Sequence, residues 1–204
     1  MKDGLLWEQE EDNVDMILAF DTYYFDNKAR TVCLSFDTWT TTDNFVVYSE
    51  ILEGIEDYTS GEFYRRELPC IVSLLKKIDS DQIEIIIVDG FVFLDDNDKL
   101  GLGGHLDRHL EGKIPIIGVA KNNFATIEKN KRALLRGESE KPLFITSIGI
   151  DIDKATGHIK SMAGNFRIPT LLKHLDSLTK EKTAANMGLW QVGRSEERRV
   201  GKEC

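Results

Sequence analysis

The chain has 204 residues, 41% apolar and 30% charged, with 26 basic against 35 acidic side chains and a formal charge of −9. That length suits one domain with a sizeable core, and the longest apolar runs, residues 85–88 and 114–120, are too short to span a bilayer. The start is acidic where a secretory leader would be basic and then apolar, and the aromatic and β-branched content is too high for disorder.

Residues 194–204 resemble the in-frame translation of a short-read sequencing adapter. They are expected to be a non-native tail, with one domain over residues 1–193 and the native C-terminus lost between 183 and 193. Without that tail, 22 basic and 32 acidic residues remain in 193, a net charge of −10. Of the three cysteines only Cys33 and Cys70 then remain, unclustered, which points to a reducing, cytoplasmic setting. So acidic a chain is a poor non-specific polyanion binder. To act on nucleic acid it needs a divalent cation and a local basic patch, for which Arg65, Arg66, Lys76, Lys77, Lys121 and residues 129–136 are the candidates.

In chain order, residues 16–24 read as a buried strand, and Asp26, Asn27 and Lys28 as a turn. Residues 30–37 form the returning strand and 45–52 a third, so an antiparallel meander is expected. Leu68, Ile71, Leu74, Leu75 and Ile78 then repeat at helical spacing, which predicts a helix over 67–78 with Pro69 in its first turn. Residues 84–88 are a β-branched run, expected to lie parallel to the first strand. A short helix over 101–110, a buried strand over 114–119 and a helix over 127–135 follow. A strand over 143–152 and an amphipathic helix over 169–178 end the pattern. A meander followed by α/β units is an RNase H-like arrangement: an α/β fold with a mixed sheet and helices on both faces. Other α/β folds share that order.

Asp21 and Asp89 each follow an apolar strand, at the carboxyl ends where open α/β sheets bind ligands. Two carboxylates so placed repel each other unless a cation or protons intervene, and a hard divalent ion suits them. Each alone is equally an ordinary strand-end residue. Glu67 is a third candidate, or simply an acidic first-turn residue. His105 and His109 stand four apart, a spacing that could chelate zinc, but nothing else supports a zinc site. They read better as surface or site-lining residues, His158 as a turn residue and His174 as a helix-surface one. No GxSxG elbow, P-loop or well-placed dinucleotide fingerprint is present. The glycines at 101, 103 and 104 could admit a close backbone approach.

Several stretches together resemble the endonuclease V family, the deoxyinosine 3′-endonucleases. They are Phe20-Asp21-Thr22-Tyr23-Tyr24, Tyr58-Thr59-Ser60-Gly61 with Arg66-Glu67-Leu68-Pro69, and Val88-Asp89-Gly90. Leu102-Gly103-Gly104-His105, residues 115–121 and residues 164–169 complete the set. The resemblance implies an RNase H-like nuclease that uses Mg²⁺, or Mn²⁺ in its place, to hydrolyse a phosphodiester 3′ of inosine in DNA or RNA. It implies Asp21, Asp89 and Glu67 as the catalytic and metal-binding carboxylates. Tyr58 is implied as the strand-separating wedge, Gly90, Gly103, Gly104 and His105 as nucleic-acid-binding positions, and Lys121 as a partner of the substrate backbone. A monomer acting in repair, without membrane contact, is the expected setting.

Three departures stand out. Ile150 follows Gly149 where the resemblance implies a histidine at the metal site. The wedge lacks its prolines, and acidic residues 95, 96 and 98 replace a basic stretch. They motivate an alternative, a catalytically impaired relative that binds lesions without cutting. The acidity motivates a third reading, a hydrolase of a small phosphorylated substrate.

Overall fold

The structure, a computed structural model, describes residues 16–54, 63–78 and 82–181. Tyr58 and the tail beyond residue 193 lie outside the described residues. Strand β1 (Met16–Phe25) turns at Asp26 and Asn27 into β2 (Lys28–Phe36). Both turn residues have positive φ, 45° and 59°, the conformation that a two-residue hairpin matched to strand twist requires and that Asp and Asn tolerate. Strand β3 (Val46–Glu53) completes the expected antiparallel meander.

On its other edge β1 pairs in parallel with β4 (Ile83–Asp89), and β4 in parallel with β5 (Ile116–Ala120). Strand β7 (Leu143–Ile148) then runs antiparallel to β5 and carries β6 (Arg132–Leu134) on the edge. The sheet order is β3-β2-β1-β4-β5-β7-β6.

Period-two alternation sorts the core into two layers. Ile17, Ala19, Ile85, Ile87 and Ile117 face helices α3 (Ile152–Ser161) and α4 (Thr170–Lys180). Leu18, Phe20, Ile86, Val88 and Ile116 face α1 (Phe63–Leu75) and α2 (Leu102–His109). A central strand buried on both faces explains why β1 and β4 read as continuous apolar runs. The mixed sheet with helices on both faces is the α/β architecture expected.

Three expectations fail. The region 127–135 is not a helix. The N–H groups of Thr126 and Ile127 go to the Leu94 carbonyl and those of Glu128 and Lys129 to the Asp96 carboxylate, while residues 132–134 are drawn into antiparallel pairing with residues 143–145, which a helix would forgo. The chain then adds β6 to the sheet edge. Helix α1 begins at Phe63, which puts Pro69 inside it rather than in its first turn, at the loss of the bond to the Arg65 carbonyl. Helix α3 occupies the stretch where His158 was expected in a turn. Its start is set by Asp151, whose carboxylate caps the N–H groups of Asp153 and Lys154. His158 instead stacks on Trp39, ring centroids 4.3 Å apart.

Candidate active site

Asp21 and Asp89 lie on neighbouring parallel strands, one residue past the paired positions Phe20 and Val88. The side-chain parity of Ile17 and Ala19 continues to Asp21, and that of Ile85 and Ile87 to Asp89, so both carboxylates belong to the α4 face. Lys121 follows β5 at the same end of the sheet. A cleft there is lined by Asp21, Asp89, Lys121 and Asp176 over an apolar floor that includes Val119 and Leu175.

Lys121 joins the acids. Its Nζ is 2.8 Å from Asp89 Oδ2 and 3.5 Å from Asp176 Oδ1. Asp176 also accepts from Lys180, 2.8 Å to each oxygen. Asp21 accepts from the Thr22 N–H at 3.0 Å and from the buried Thr179 hydroxyl at 3.5 Å. Glu67 reaches this end of the sheet from α1, on the opposite layer. It is buried at 2% exposure, and its Oε2 has no hydrogen-bond partner.

The charges are strained. Burial first, and then the Asp89 and Asp176 carboxylates, push Asp21 up to about 6. Burial likewise holds Glu67 well above the usual carboxylate range, with Asp21 and Asp89 adding to it. Burial pulls the Lys121 ammonium down, but Asp89, Asp21 and Asp176 outweigh it and the net shift is upward. Burial opposes ionisation of Asp176 too, yet Lys180 and Lys121 bring it below its ordinary value.

Among the described residues, no three His, Cys, Asp or Glu side chains converge as a cluster that would hold a metal ion. The donor chemistry nevertheless fits a hard divalent cation: carboxylate oxygens only, one of them buried and unpartnered, two of them on acids that burial and mutual repulsion disfavour as anions. In this arrangement Lys121 supplies the positive charge.

The other expected positions separate. Gly90 adopts φ +151° just past Asp89, its N–H donating to the Val119 carbonyl. Gly103 and Gly104 are buried in α2, where an added Cβ would lie 2.9 Å from Val92 Cγ2 and 2.5 Å from the Val92 carbonyl oxygen. Their lack of a side chain is thus used by the protein's own packing. His105 stacks on Tyr64 of α1, centroids 3.6 Å apart, which ties the two helices together.

Most of the basic-patch candidates are engaged internally. Arg66 lies over the Tyr24 ring, Lys77 pairs with Glu50, Arg132 with Asp153, and Arg136 donates to the carbonyls of Met162, Gly164 and Phe166. The acidic loop is partly engaged too. Asp95 accepts from the N–H groups of Asn97 and Lys99, and Asp96 from those of Glu128 and Lys129.

Register resolves the Ile150 departure. Ile148 pairs with Ile116 at the start of β5, whereas Lys121 follows its end, where Ala120 pairs with Phe144. Ile150 is therefore at the opposite end of the sheet, about 20 Å away along the strand, packed on the α3/α4 core. A histidine there would not reach these carboxylates. The acid that does complete the cleft, Asp176, escaped the sequence reading. It sits on the polar side of an amphipathic helix among Lys173, His174 and Ser177, and only the packing of α4 across β1 reveals it.

The endonuclease V family model matches residues 3–177. Comparison with curated proteins gives no match. Among solved structures, endonuclease V from Streptomyces avermitilis is similar at 25% identity and TM-score 0.68, over 82% of this chain and 80% of that one. The Bacillus subtilis protein is similar at 22% identity and TM-score 0.61, over 82% and 80%. Ciona intestinalis endonuclease V, in complex with a 23mer DNA containing an inosine followed by a ribo-adenosine, shares the fold at 18% identity and TM-score 0.65, over 81% and 84%. The RNase H-like arrangement and the family match over most of the sequence converge: the chain belongs to the endonuclease V family and is a nuclease.

Proposed function

We propose that the protein is a divalent-metal-dependent endonuclease that hydrolyses a phosphodiester on the 3′ side of inosine or deoxyinosine, in nucleic-acid repair. The observation that carries this is the placement of Asp21 and Asp89 at the carboxyl ends of paired parallel strands, facing Lys121 and Asp176 across one cleft. The inosine-containing DNA bound by the Ciona protein points to the lesion.

In this reading Asp21, Asp89, Glu67 and Asp176 hold Mg²⁺, for which Mn²⁺ can substitute. The cation, when bound, supplies activation of water and neutralisation of charge on the leaving oxygen. Lys121, relieved of part of its contact with Asp89, faces the scissile phosphate. Gly90 gives the backbone room to approach the strand, Tyr58 separates it beside the lesion, and Gly103, Gly104 and His105 border the extruded base. A mispaired inosine leaves the stack at lower cost than a normal base. The protein works as a monomer in a reducing, cytoplasmic compartment, in keeping with two buried free thiols at Cys33 and Cys70. No described helix is long and apolar enough to cross a membrane.

The test is strand scission of an end-labelled oligonucleotide with one deoxyinosine, as DNA and with inosine as RNA, with Mg²⁺ and then Mn²⁺. A cut on the 3′ side, absent without metal and lost in Asp89→Asn, is expected. Tight binding without any scission would instead assign a lesion reader, and turnover of a nucleotide alone a small-substrate hydrolase.

A further inference from the structure

The α4 face of the sheet does not end at Asp21. Side-chain parity carries β1 on to Tyr23 and Phe25, which point the same way and stack, ring centroids 6.3 Å apart. Tyr23 is 41% exposed and lies beyond Phe20, the last residue of β1 that pairs with β4. Directly across from it in the register is Arg30 of β2, and across from Arg30 is Ile51 of β3, also 41% exposed. The Arg30 guanidinium lies 5.7 Å from the centre of the Phe25 ring and donates to the Glu181 carbonyl at the end of α4. Among the described residues, helix α4 thus covers this face as far as Asp21 and nothing covers the hairpin end.

Two stacked aromatics and an arginine on one sheet face are the chemistry that receives unpaired bases. Every base presents a π-face to an aromatic ring, and the guanidinium adds charge toward the backbone. The face is also continuous with the carboxylate cleft. Asp21 and Tyr23 are about 7 Å apart along the strand, roughly two base steps at about 3.4 Å each. Resting on the proposed action at inosine, we infer that Tyr23, Phe25 and Arg30 form a stacking platform for unpaired nucleotides flanking the scissile phosphate, on one side of it. The substrate is then a single strand or a locally opened duplex, held beyond the lesion by sequence-tolerant stacking. Such a platform also supplies binding that the acidic surface as a whole does not.

The experiment measures binding of the full chain to fluorescein-labelled single strands with one deoxyinosine, by anisotropy in Ca²⁺ to suppress cutting. One series extends the strand stepwise on the 5′ side of the lesion and another on the 3′ side. Tyr23→Ala is expected to weaken binding about 5- to 150-fold for strands extended on one side, and not for strands truncated there. Tyr23→Trp should retain affinity, and Arg30→Gln should lessen the salt dependence. Equal affinities of wild type and Tyr23→Ala at every length, with wild type still cutting inosine strands, would overturn the platform and leave the proposed function standing. A Tyr23→Ala protein that loses thermal stability but no affinity would also overturn it, because the face is then covered by the chain itself. A wild type that neither binds nor cuts any inosine strand would remove the proposed function and the platform together.

Discussion

Replacing Asp21 by asparagine should make the metal-free protein more stable at neutral pH. In the folded chain this carboxyl is pushed from an ordinary 3.8 to about 6, by burial first and by repulsion from Asp89 and Asp176 next. Between those two values the native state binds more protons than the unfolded one, so stability falls as pH rises through the window. Below about pH 4 both states are protonated and nothing is lost; above about pH 6 the full penalty applies, about 3 kcal/mol. Asparagine keeps an acceptor for the Thr22 N–H but carries no charge to bury. The shift to about 6 already includes the attraction of Lys121, so the net gain at pH 8 is about 3 kcal/mol, or about 6–12 °C in Tm for a chain of this size. Urea unfolding of both proteins in EDTA, at pH 4.5 and at pH 8, measures it. The gap should be about 1 kcal/mol at the lower pH and widen to about 3 kcal/mol at the higher. A variant no more stable than wild type at pH 8, or a gap independent of pH, would refute the reasoning. Saturating Mn²⁺ should narrow or reverse the gap, because ligand linkage favours the protein that binds.

Asp176→Asn should lower strand scission by at least about 100-fold while the circular dichroism spectrum and lesion binding persist. Loss no larger than that of an exposed control such as Asp153→Asn would remove Asp176 from the site. Ile150→His should change neither Mn²⁺ affinity nor cutting rate by more than about twofold, since the register sets it at the far end of the sheet; a large gain would mean the strand assignment is wrong. Gly137→Ala should destabilise by about 2–4 kcal/mol. Its φ is +58° and an added Cβ would lie 2.2 Å from the Asn165 carbonyl oxygen, so urea unfolding should show the loss. The segment it would displace ends at Arg167, whose guanidinium holds the carbonyls of Lys121 and Pro142.

The parts of this fold that sequence patterns reveal are those where one local force dominates. Strands β1 and β4 announce themselves because both of their faces are buried, and each apolar run breaks at the aspartate that leaves the core. The hairpin is legible because Asp26 and Asn27 are residues that accept positive φ. Helix α1 is displaced in the reading because Pro69, tolerated by tertiary packing, looks like a first-turn residue. Helix α3 is obscured by Gly157, although its Asp151 cap is a local signal that could have found it. The helix expected at 127–135 loses to the long-range pairing of β6 with β7, whose partner strand no window of that segment contains. The site divides in the same way. Asp21 and Asp89 are marked by their strands, and Glu67 by its place at the head of the expected helix as well as by resemblance, but nothing local distinguishes Asp176 from a solvated helix-face acid. Its role follows only from α4 crossing the sheet beside β1.

We propose that Asp21, Asp89, Glu67 and Asp176, two of them contacted by Lys121, form one divalent-cation site. Calorimetric titration of the metal-free protein with Mn²⁺ at pH 6 and pH 8 tests it most directly. One ion per chain is predicted, with proton release at pH 6 that diminishes at pH 8 as Asp21 ionises beforehand. Binding should be weakened severely in Asp21→Asn, Asp89→Asn and Asp176→Asn alike. Equal Mn²⁺ affinity in wild type and all three variants, or no binding by wild type at millimolar metal, would contradict the account.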